Sequence, residues 1–185
     1  MLNTASAGKP KAVSGAVFRA PIGTTLPTDA SATLPVAFKS VGYISDEGVT
    51  NAYSISTEDS KSWGGLVVMN TITERQDDFK YKMISPHNTE AKKVVYGDSA
   101  VKVDSSTGAT TVEVGADEPE ACVYVIDMII AGVPTRIVIP NGKLKELEDI
   151  VYNDTDPVGY GVTIAAMADS KDKTHYEYSA TPKES

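Results

Sequence analysis

A mainly β protein with one short helix is predicted from two strand patterns and one pair of helix-end signals. Phe79, Tyr81 and Met83 alternate with polar residues, which is typical of a strand with one buried and one wet face. Residues 121–130 are apolar apart from Asp127, which predicts a central strand covered on both faces. Further strands are expected where β-branched or aromatic residues cluster or alternate, at residues 16–19, 36–44, 66–73, 112–114 and 159–167.

One hairpin is signalled by Asn141-Gly142, which lies between the segments TRIVIP and KLKELEDI. Asn-Gly readily adopts the two positive-φ positions of a type I′ turn. Leu144, Leu147 and Ile150 would also fit one face of a helix, but a tight turn requires a strand on its far side. Residues 143–152 are therefore expected to form a strand.

The single helix is expected at about Thr89–Tyr96. Asn88 or Thr89 suits its N-cap, and Glu90 suits its first turn. Gly97 follows the last apolar residue and is expected to end the helix in the left-handed position.

Residues 45–64 are polar over an unusual length, and their apolar residues are Val49, Tyr53, Ile55 and Trp63. Loops of this length in compact domains are usually functional or ordered by a partner. Trp63 precedes two glycines. It either plugs the end of the core or anchors the loop on a neighbouring subunit, and the sequence leaves both open.

Composition limits the class of protein. The 185 residues, 41% hydrophobic and 23% charged, suit one domain with additional arms, and a net charge of −8 argues against binding nucleic acid or a membrane surface.

Cys122 is the single cysteine, so no intrachain disulfide forms, and its apolar surroundings indicate a buried thiol. No signal peptide or membrane span is expected. Residues 1–12 and 179–185 are polar and are expected to be loosely ordered arms.

The sequence contains no recognisable catalytic, cofactor or metal motif. His87 and His175 are the only histidines, and neither belongs to a zinc-protease pattern. Residues 104–113 superficially resemble a calcium loop, but the glycine and the glutamate are in the wrong positions. The acidic clusters at residues 117–120 and 154–156 are interpreted as solvated turns. We therefore expect neither an enzyme nor a bound cofactor.

Nine segments, in order along nearly the whole chain, resemble those of one family. They are GAVFRAPIGTTLPTDA, FKSVGYISDEGVTN, KSWGG, LVVMNTITERQDDFKYKMI, NTEAKKVVYGD, YVIDMII, RIVIPNGK, DPVGYGVTIAA and THYEY. In this order they resemble the major tail proteins, or tail tube subunits, of long non-contractile-tailed bacteriophages.

The resemblance implies a two-sheet antiparallel β-sandwich flanked by one short helix, with a long inter-strand loop and extended terminal arms. The sandwich domain would span residues 13–178. Six copies would form a ring, and rings would stack into a tube around a tape-measure protein, with terminator and tip proteins at the tube ends. Viral DNA would pass through the lumen without specific binding. The subunit would be made in the host cytoplasm and become part of the virion.

The resemblance also assigns a role to residues 45–64, as the loop that reaches the adjacent ring. Val49, Tyr53, Ile55 and Trp63 would make those contacts. The alternative is a monomeric β-sandwich module that binds carbohydrate or a receptor. Such a module is expected to expose a cluster of aromatic residues, whereas this chain has one Trp, three Phe and nine scattered Tyr.

The charge distribution gives one expectation for the lumen. Residues 112–156 contain ten acidic and three basic residues, a net charge of −7. A basic wall would hold DNA through its phosphates. We therefore expect a net negative lumen, with acidic side chains on lumen-facing strands contributing. The acidic residues of this segment are Glu113, Asp117, Glu118, Glu120, Asp127, Glu146, Glu148, Asp149, Asp154 and Asp156.

Overall fold

The structure, a computed structural model, describes residues 7–12 and 15–180. These residues form strands and one helix. In chain order the elements are β1 (Gly8–Pro10), β2 (Val17–Pro21), β3 (Lys39–Ser40), β4 (Ile44–Lys61), β5 (Val67–Met83), α1 (Thr89–Tyr96), β6 (Val101–Val103), β7 (Thr110–Val112), β8 (Cys122–Ile130), β9 (Val133–Leu147), β10 (Tyr160–Ala166) and β11 (Tyr176–Ser179).

The strands form a large and a small antiparallel sheet. The large sheet has the order β3-β2-β8-β9-β10-β5-β4, with β1 on β8 and β11 on β9, and the small sheet is the β6–β7 hairpin. In this sheet, one side of β8 and one side of β9 are each shared by two strands. β1 and β2 pair with successive parts of β8, and β11 and β10 pair with successive parts of β9. The predicted fold class, a mainly β sandwich with one flanking helix, is confirmed.

Strand β8 is the central buried strand that its apolar sequence predicts. Tyr124 and Ile126 belong to the main core, which also receives the buried side of α1. Val123 and Val125 belong to a second core on the opposite face, covered by Leu26, Leu34 and Phe38 of the segment before β3 and by two tyrosines of β11. Both faces of this strand are covered, so its apolar residues need not alternate with polar ones.

Helix α1 occupies the predicted residues. The Asn88 side chain accepts hydrogen bonds from the backbone N–H groups of Glu90 and Ala91, which satisfies donors that lack helical partners. Gly97 ends the helix at a φ of 90°, but its ψ of 159° is extended and not left-handed helical. The buried Arg19 of β2 contacts Glu90 and Asp98 and thereby ties the helix to the sheet. No helix in the described residues is long and apolar enough to cross a membrane.

The predicted turn at Asn141-Gly142 is wrong, because both residues lie within the continuous strand β9. Gly142 is required there for packing: a Cβ at this position would lie 2.6 Å from Cδ2 of Tyr124 and 2.9 Å from Cγ2 of Ile164. The β8–β9 hairpin turns at Ala131 and Gly132 instead, whose φ values of 53° and 81° suit a type I′ turn. The strand after Gly142 ends at Leu147, not at residue 152.

We expect Gly142→Ala to lower the free energy of unfolding by about 1–3 kcal/mol, because the added methyl overpacks the contact with Tyr124. Gly115→Ala is the matched control, since its Cβ would meet no atom within 4 Å. Urea unfolding followed by circular dichroism measures both. Equal midpoints for the two variants would show that β9 can move away from Tyr124 without cost.

Residues 45–64 were expected to be a loop, but most of them form a strand. β4 runs from Ile44 to Lys61 and pairs along its length with β5. The predicted strand at residues 66–73 lies within β5, whereas that at residues 36–44 is reduced mainly to the two residues of β3. The polar sequence of β4 does not predict a strand because most of β4 has no buried face, and polar–apolar alternation is limited to Tyr53 and Ile55 among serines.

Parts of the two expected arms are paired in the sheet, although their composition predicts loose order. Gly8–Pro10, within the expected N-terminal arm, pairs with β8, and Ser179, at the start of the expected C-terminal tail, pairs with Thr135. Residues 1–6 and 181–185 lie outside the described residues.

Candidate assembly interface

The outer parts of β4 and β5 form a two-stranded arm, defined here as residues 53–76. Strand β10 pairs with β5 only from Asp78 to Met83, so beyond Asp78 the two strands pair with each other alone. Residues 53–75 are all exposed. Nine strand residues at about 3.4 Å each make the arm roughly 30 Å long. The arm is therefore a projection with no core of its own.

A tight turn closes the tip of the arm. Ser62 and Leu66 are joined by a backbone hydrogen bond of 2.8 Å, and Gly65 N–H donates to the Ser62 carbonyl at 2.9 Å. Gly64 and Gly65 have φ values of 130° and 86°, which explains the two glycines. The Trp63 side chain is fully exposed. Within a single chain, Trp63 therefore does not plug the core.

The strand register separates the arm into two faces. Tyr53 and Ile55 lie on the side of β4 that carries Asn51, which pairs with the core residue Phe79. Ile72 pairs with Thr57, and Val67 pairs with Lys61, on this same side. We call Tyr53, Ile55, Val67 and Ile72 the apolar face; each is between 44% and 52% exposed. The apolar face thus continues the core side of the sheet beyond the point where the core ends.

The opposite face of the arm is polar. By register it carries mainly serine, threonine, glutamate and glutamine, with Met69 as an apolar residue near the tip. The members of this polar face are Ser54, Ser56, Glu58, Ser60, Thr71, Glu74 and Gln76. The arm is consequently amphipathic although it is exposed on both sides, and such an apolar strip usually marks a contact surface.

The structure brings three of the four predicted contact residues onto the arm. Tyr53, Ile55 and Trp63 lie on it, whereas Val49 is half-buried in the body and packs against the main core. Further exposed apolar residues of the arm were not among the predicted contacts: Leu66 in the tip turn and Val67, Val68, Met69 and Ile72 on β5. Their β-rich run did predict a strand, but nothing in it indicated that the strand lies outside the core.

At the root of the arm, Asp77 is almost completely buried, with 1% of its side chain exposed. Asn51 donates a hydrogen bond to its Oδ1, and Thr174 Oγ1 and His175 Nδ1 lie 2.6 Å from its Oδ2. Burial opposes ionisation, but the hydrogen bonds from Thr174, Asn51 and His175 outweigh it and hold the pKa of Asp77 below its ordinary value of 3.8. The carboxylate is therefore ionised at neutral pH. Its stabilising effect is lost only in acid, as the pH falls below 3.8 through the lower folded value.

The outer side of strands β9, β10, β5 and β4 forms a second surface. Gly161, Thr163 and Ala165 of β10 lie between longer charged side chains of the neighbouring strands. We call these charged residues the charged face; they are Asp78, Lys80, Lys82, Lys143, Lys145, Glu146 and Glu148. Four lysines face three carboxylates, and Lys145 Nζ lies 2.8 Å from Asp78 Oδ2. The charged face is therefore nearly balanced in charge.

The acidic residues of segment 112–156 do not share one surface. Asp127 is buried and forms a bidentate ion pair with Arg136, at 2.6 and 2.8 Å. Glu113 pairs with Lys102 on the small sheet, and Glu118 pairs with Lys143. Asp127 therefore cannot contribute to a solvent-lined wall.

The cysteine and the two histidines, which were considered for catalysis or metal binding, are either packed in the protein body or exposed in a loop. Cys122 is buried beside Arg19, and burial raises the pKa of its thiol above the usual value of 9.0. His175 contacts Asp77 at the root of the arm, and His87 is exposed in the loop that precedes α1. Among residues 7–12 and 15–180, no three His, Cys, Asp or Glu side chains are placed to hold a metal ion.

Comparison with known proteins agrees with this architecture. A family model for phage tail tube proteins matches residues 5–182, which is nearly the whole chain. No curated protein matched the sequence. The match covers the body, the arm and the short strands β1 and β11. The chain therefore belongs to the phage tail tube protein family and is a structural subunit of a phage tail tube.

Proposed function

We propose that this subunit assembles into hexameric rings that stack into the tube of a long non-contractile tail, and that the arm makes the contact between successive rings. The observation that carries this proposal is the exposed apolar face on a projection that has no core. Family membership implies self-association into a tube. The arm supplies an apolar surface that no other part of residues 7–12 and 15–180 covers.

The inter-ring contact would use the apolar face together with Trp63 and Leu66 at the tip. Aromatic residues contribute most strongly at interfaces, and a buried Trp removes about 200 Å² from water, a gross gain of about 5 kcal/mol before ordering costs. Val49 would have a different role from the one expected. It lies where β4 leaves the core, so it supports the base of the arm.

The charged face is the surface that we propose for the lumen. Lys145 pairs with Asp78 and Lys143 with Glu118, and Glu146 and Glu148 offset the charge of Lys80 and Lys82, so the wall has no large basic surplus and duplex DNA would pass without specific binding. A net negative lumen would then depend on acidic residues outside the four strands, such as Asp149, Asp154 and Asp156. Purified tubes are expected not to bind duplex DNA at micromolar concentration and physiological salt. Tight binding under these conditions would contradict the proposed wall.

The remaining partners follow from the same proposal. A tape-measure protein would occupy the lumen before DNA ejection, and terminator and tip proteins would close the two tube ends. Assembly would take place in the host cytoplasm and place the subunit in the virion. These partners would meet the open rings and not the outer surface of the body.

Negative-stain microscopy of purified protein, seeded with assembled tail tips, tests the proposal. We expect tubes from the wild type and at least roughly tenfold less tube from Trp63→Ala, since loss of about 1.4 kcal/mol per contact is tenfold in affinity. Ser54→Ala, on the polar face of the same arm, is the matched control and should assemble normally. Both variants should melt like the wild type because both residues are exposed.

A wild-type protein that remains monomeric under seeding would contradict the assembly proposal. That result would favour the alternative of a monomeric binding module. Equal tube yields from Trp63→Ala and Ser54→Ala would instead leave the tube but remove Trp63 from the inter-ring contact.

A further inference from the structure

The arm leaves the sheet at one identifiable row. Ala165 of β10 pairs with Asp78, which in turn pairs with Ala52, so in this row β10 still flanks the β4–β5 pair. The next row contains Tyr53 and Asp77 alone. A two-stranded ribbon is only marginally stable and twists easily. The continuity of β4 and β5 alone therefore does not hold the arm at one angle to the body.

At this row a cluster of side chains takes the place of the missing third strand. Asp77 accepts hydrogen bonds of 2.7 Å from Asn51 Nδ2 and 2.6 Å from Thr174 Oγ1, and His175 Nδ1 lies 2.6 Å away. The three partners come from β4 and from the segment that precedes β11. Hydrogen bonds to a buried charged group are stronger than ordinary ones, and leaving that group unpaired is costly.

The cluster is also fixed to the body. The His175 ring packs edge-on against the ring of the core residue Phe79, with centroids 5.3 Å apart. His175 directly precedes β11, which pairs with β9 at Arg136 and Val138. Movement of Asp77 would therefore disturb both the arm and the final strand.

We propose that Asp77, held by Asn51, Thr174 and His175, is the positioning residue that fixes the direction of the arm and joins the arm to β11. The arm outside this point carries no comparable anchor. Its one side-chain pair on the apolar side, Asn70 with Asp59 at 2.7 Å, links β4 to β5 and makes no contact with the body. Any consequence for tube assembly rests on the function proposed above, whereas the anchoring itself does not.

Distance measurement between two spin labels tests the anchoring in the free subunit. One label is attached through Ser62→Cys at the arm tip and the other through Lys92→Cys on α1, while the buried Cys122 remains unlabelled. We expect one narrow distance distribution, which Asp77→Ala broadens to about twice its width because the unsupported ribbon bends. Amides of β11 should also exchange about tenfold faster, the equivalent of about 1.4 kcal/mol.

Asp59→Ala is the matched control, since it removes the same carboxylate–amide pairing from the outer arm, and it should leave the width unchanged. Asp77→Asn retains one acceptor oxygen and should give an intermediate width. Should Asp77→Ala fail to fold, the folded double variant Thr174→Val/His175→Leu, which leaves the Asn51 contact in place, should broaden the distribution in the same way. An unchanged width in a folded Asp77→Ala or in this double variant overturns the proposal.

Seeded assembly of the same variants separates the anchoring from the function of the arm. A broadened distribution together with normal tubes supports the anchoring and contradicts the proposed role of the arm in stacking. A narrow distribution in folded Asp77→Ala, or in the Thr174→Val/His175→Leu double variant, overturns the anchoring whether or not tubes form.

Discussion

Arg136→Ala is expected to lower the free energy of unfolding by about 3–5 kcal/mol, the usual cost of leaving a buried charge without its partner. The Arg136 and Asp127 side chains are 1% and 8% exposed. Arg136 also donates through Nη1 to the backbone carbonyls of Asp29 and Ala32, at 2.9 and 3.0 Å. The free energy of unfolding of a typical domain is only about 5–15 kcal/mol, so this substitution should remove much of the stability of the protein.

Urea unfolding followed by circular dichroism measures the loss. Lys102→Ala is the matched control, because Lys102 and Glu113 form an ion pair of 2.7 Å that is about 60% exposed on both sides. Exposed pairs usually contribute less than about 1 kcal/mol. A similar small loss for Arg136→Ala would show that water, or Lys11, whose Nζ lies 4.0 Å from Asp127 Oδ2, compensates the carboxylate when the guanidinium is removed.

A double variant, Arg136→Met with Asp127→Leu, separates the charge from the packing. Apolar replacement of both partners is often neutral or stabilising. Here the carbonyls of Asp29 and Ala32 would still lose their donor, so we expect recovery of only part of the stability. Full recovery of the free energy of unfolding would mean that the hydrogen bonds from Arg136 to Asp29 and Ala32 contribute nothing to stability.

Excision of the arm is expected to abolish tube formation and leave the body folded. Ser54 and Gln76 are directly paired, so an Asn-Gly turn in place of residues 55–75 should close a short type I′ hairpin. The removed residues are all exposed, and the Asp77 cluster remains. The thermal midpoint should therefore change by only a few degrees, since surface changes rarely exceed about 0.5 kcal/mol.

Size-exclusion chromatography with light scattering, and microscopy under seeding, measure this second result. The Ser54→Ala variant, with its full-length arm, serves as the control for handling and yield. Tubes of normal length from the excised protein would contradict the proposed inter-ring contact. Unfolding of the excised protein would contradict the description of the arm as a projection without a core.

Local signals in the sequence were sufficient where neighbouring residues supply the interactions. The ends of α1 depend on the Asn88 side chain and on the glycine at position 97, and both lie within a few residues of the helix. The exposure pattern of Phe79, Tyr81 and Met83, and the apolar run of β8, follow from a sheet that buries one face or two. The absence of a catalytic motif and the ordered family segments also needed only the sequence.

Tertiary contacts decided what local signals could not. Asn141-Gly142 has turn chemistry, but its glycine serves packing against the ring of Tyr124 within β9, and the turn forms at Ala131-Gly132. Asp127 contributes to the acidic count of its segment, yet Arg136 neutralises it inside the protein. In both cases the deciding partner is distant or lies on another strand, and sequence spacing does not reveal it.

The arm shows the same division within one segment. Its length, its few apolar residues and Trp63 marked residues 45–64 as unusual, and the β-rich run after Gly65 predicted the returning strand. Only the structure shows that these two pieces pair and that Tyr53, Ile55, Val67 and Ile72 share one face. That face depends on cross-strand register and two bulges, and the anchor at Asp77 depends on Thr174 and His175, which are about a hundred residues away. The sequence by itself determined that this part of the chain is distinct, and tertiary pairing determined the surface that it presents.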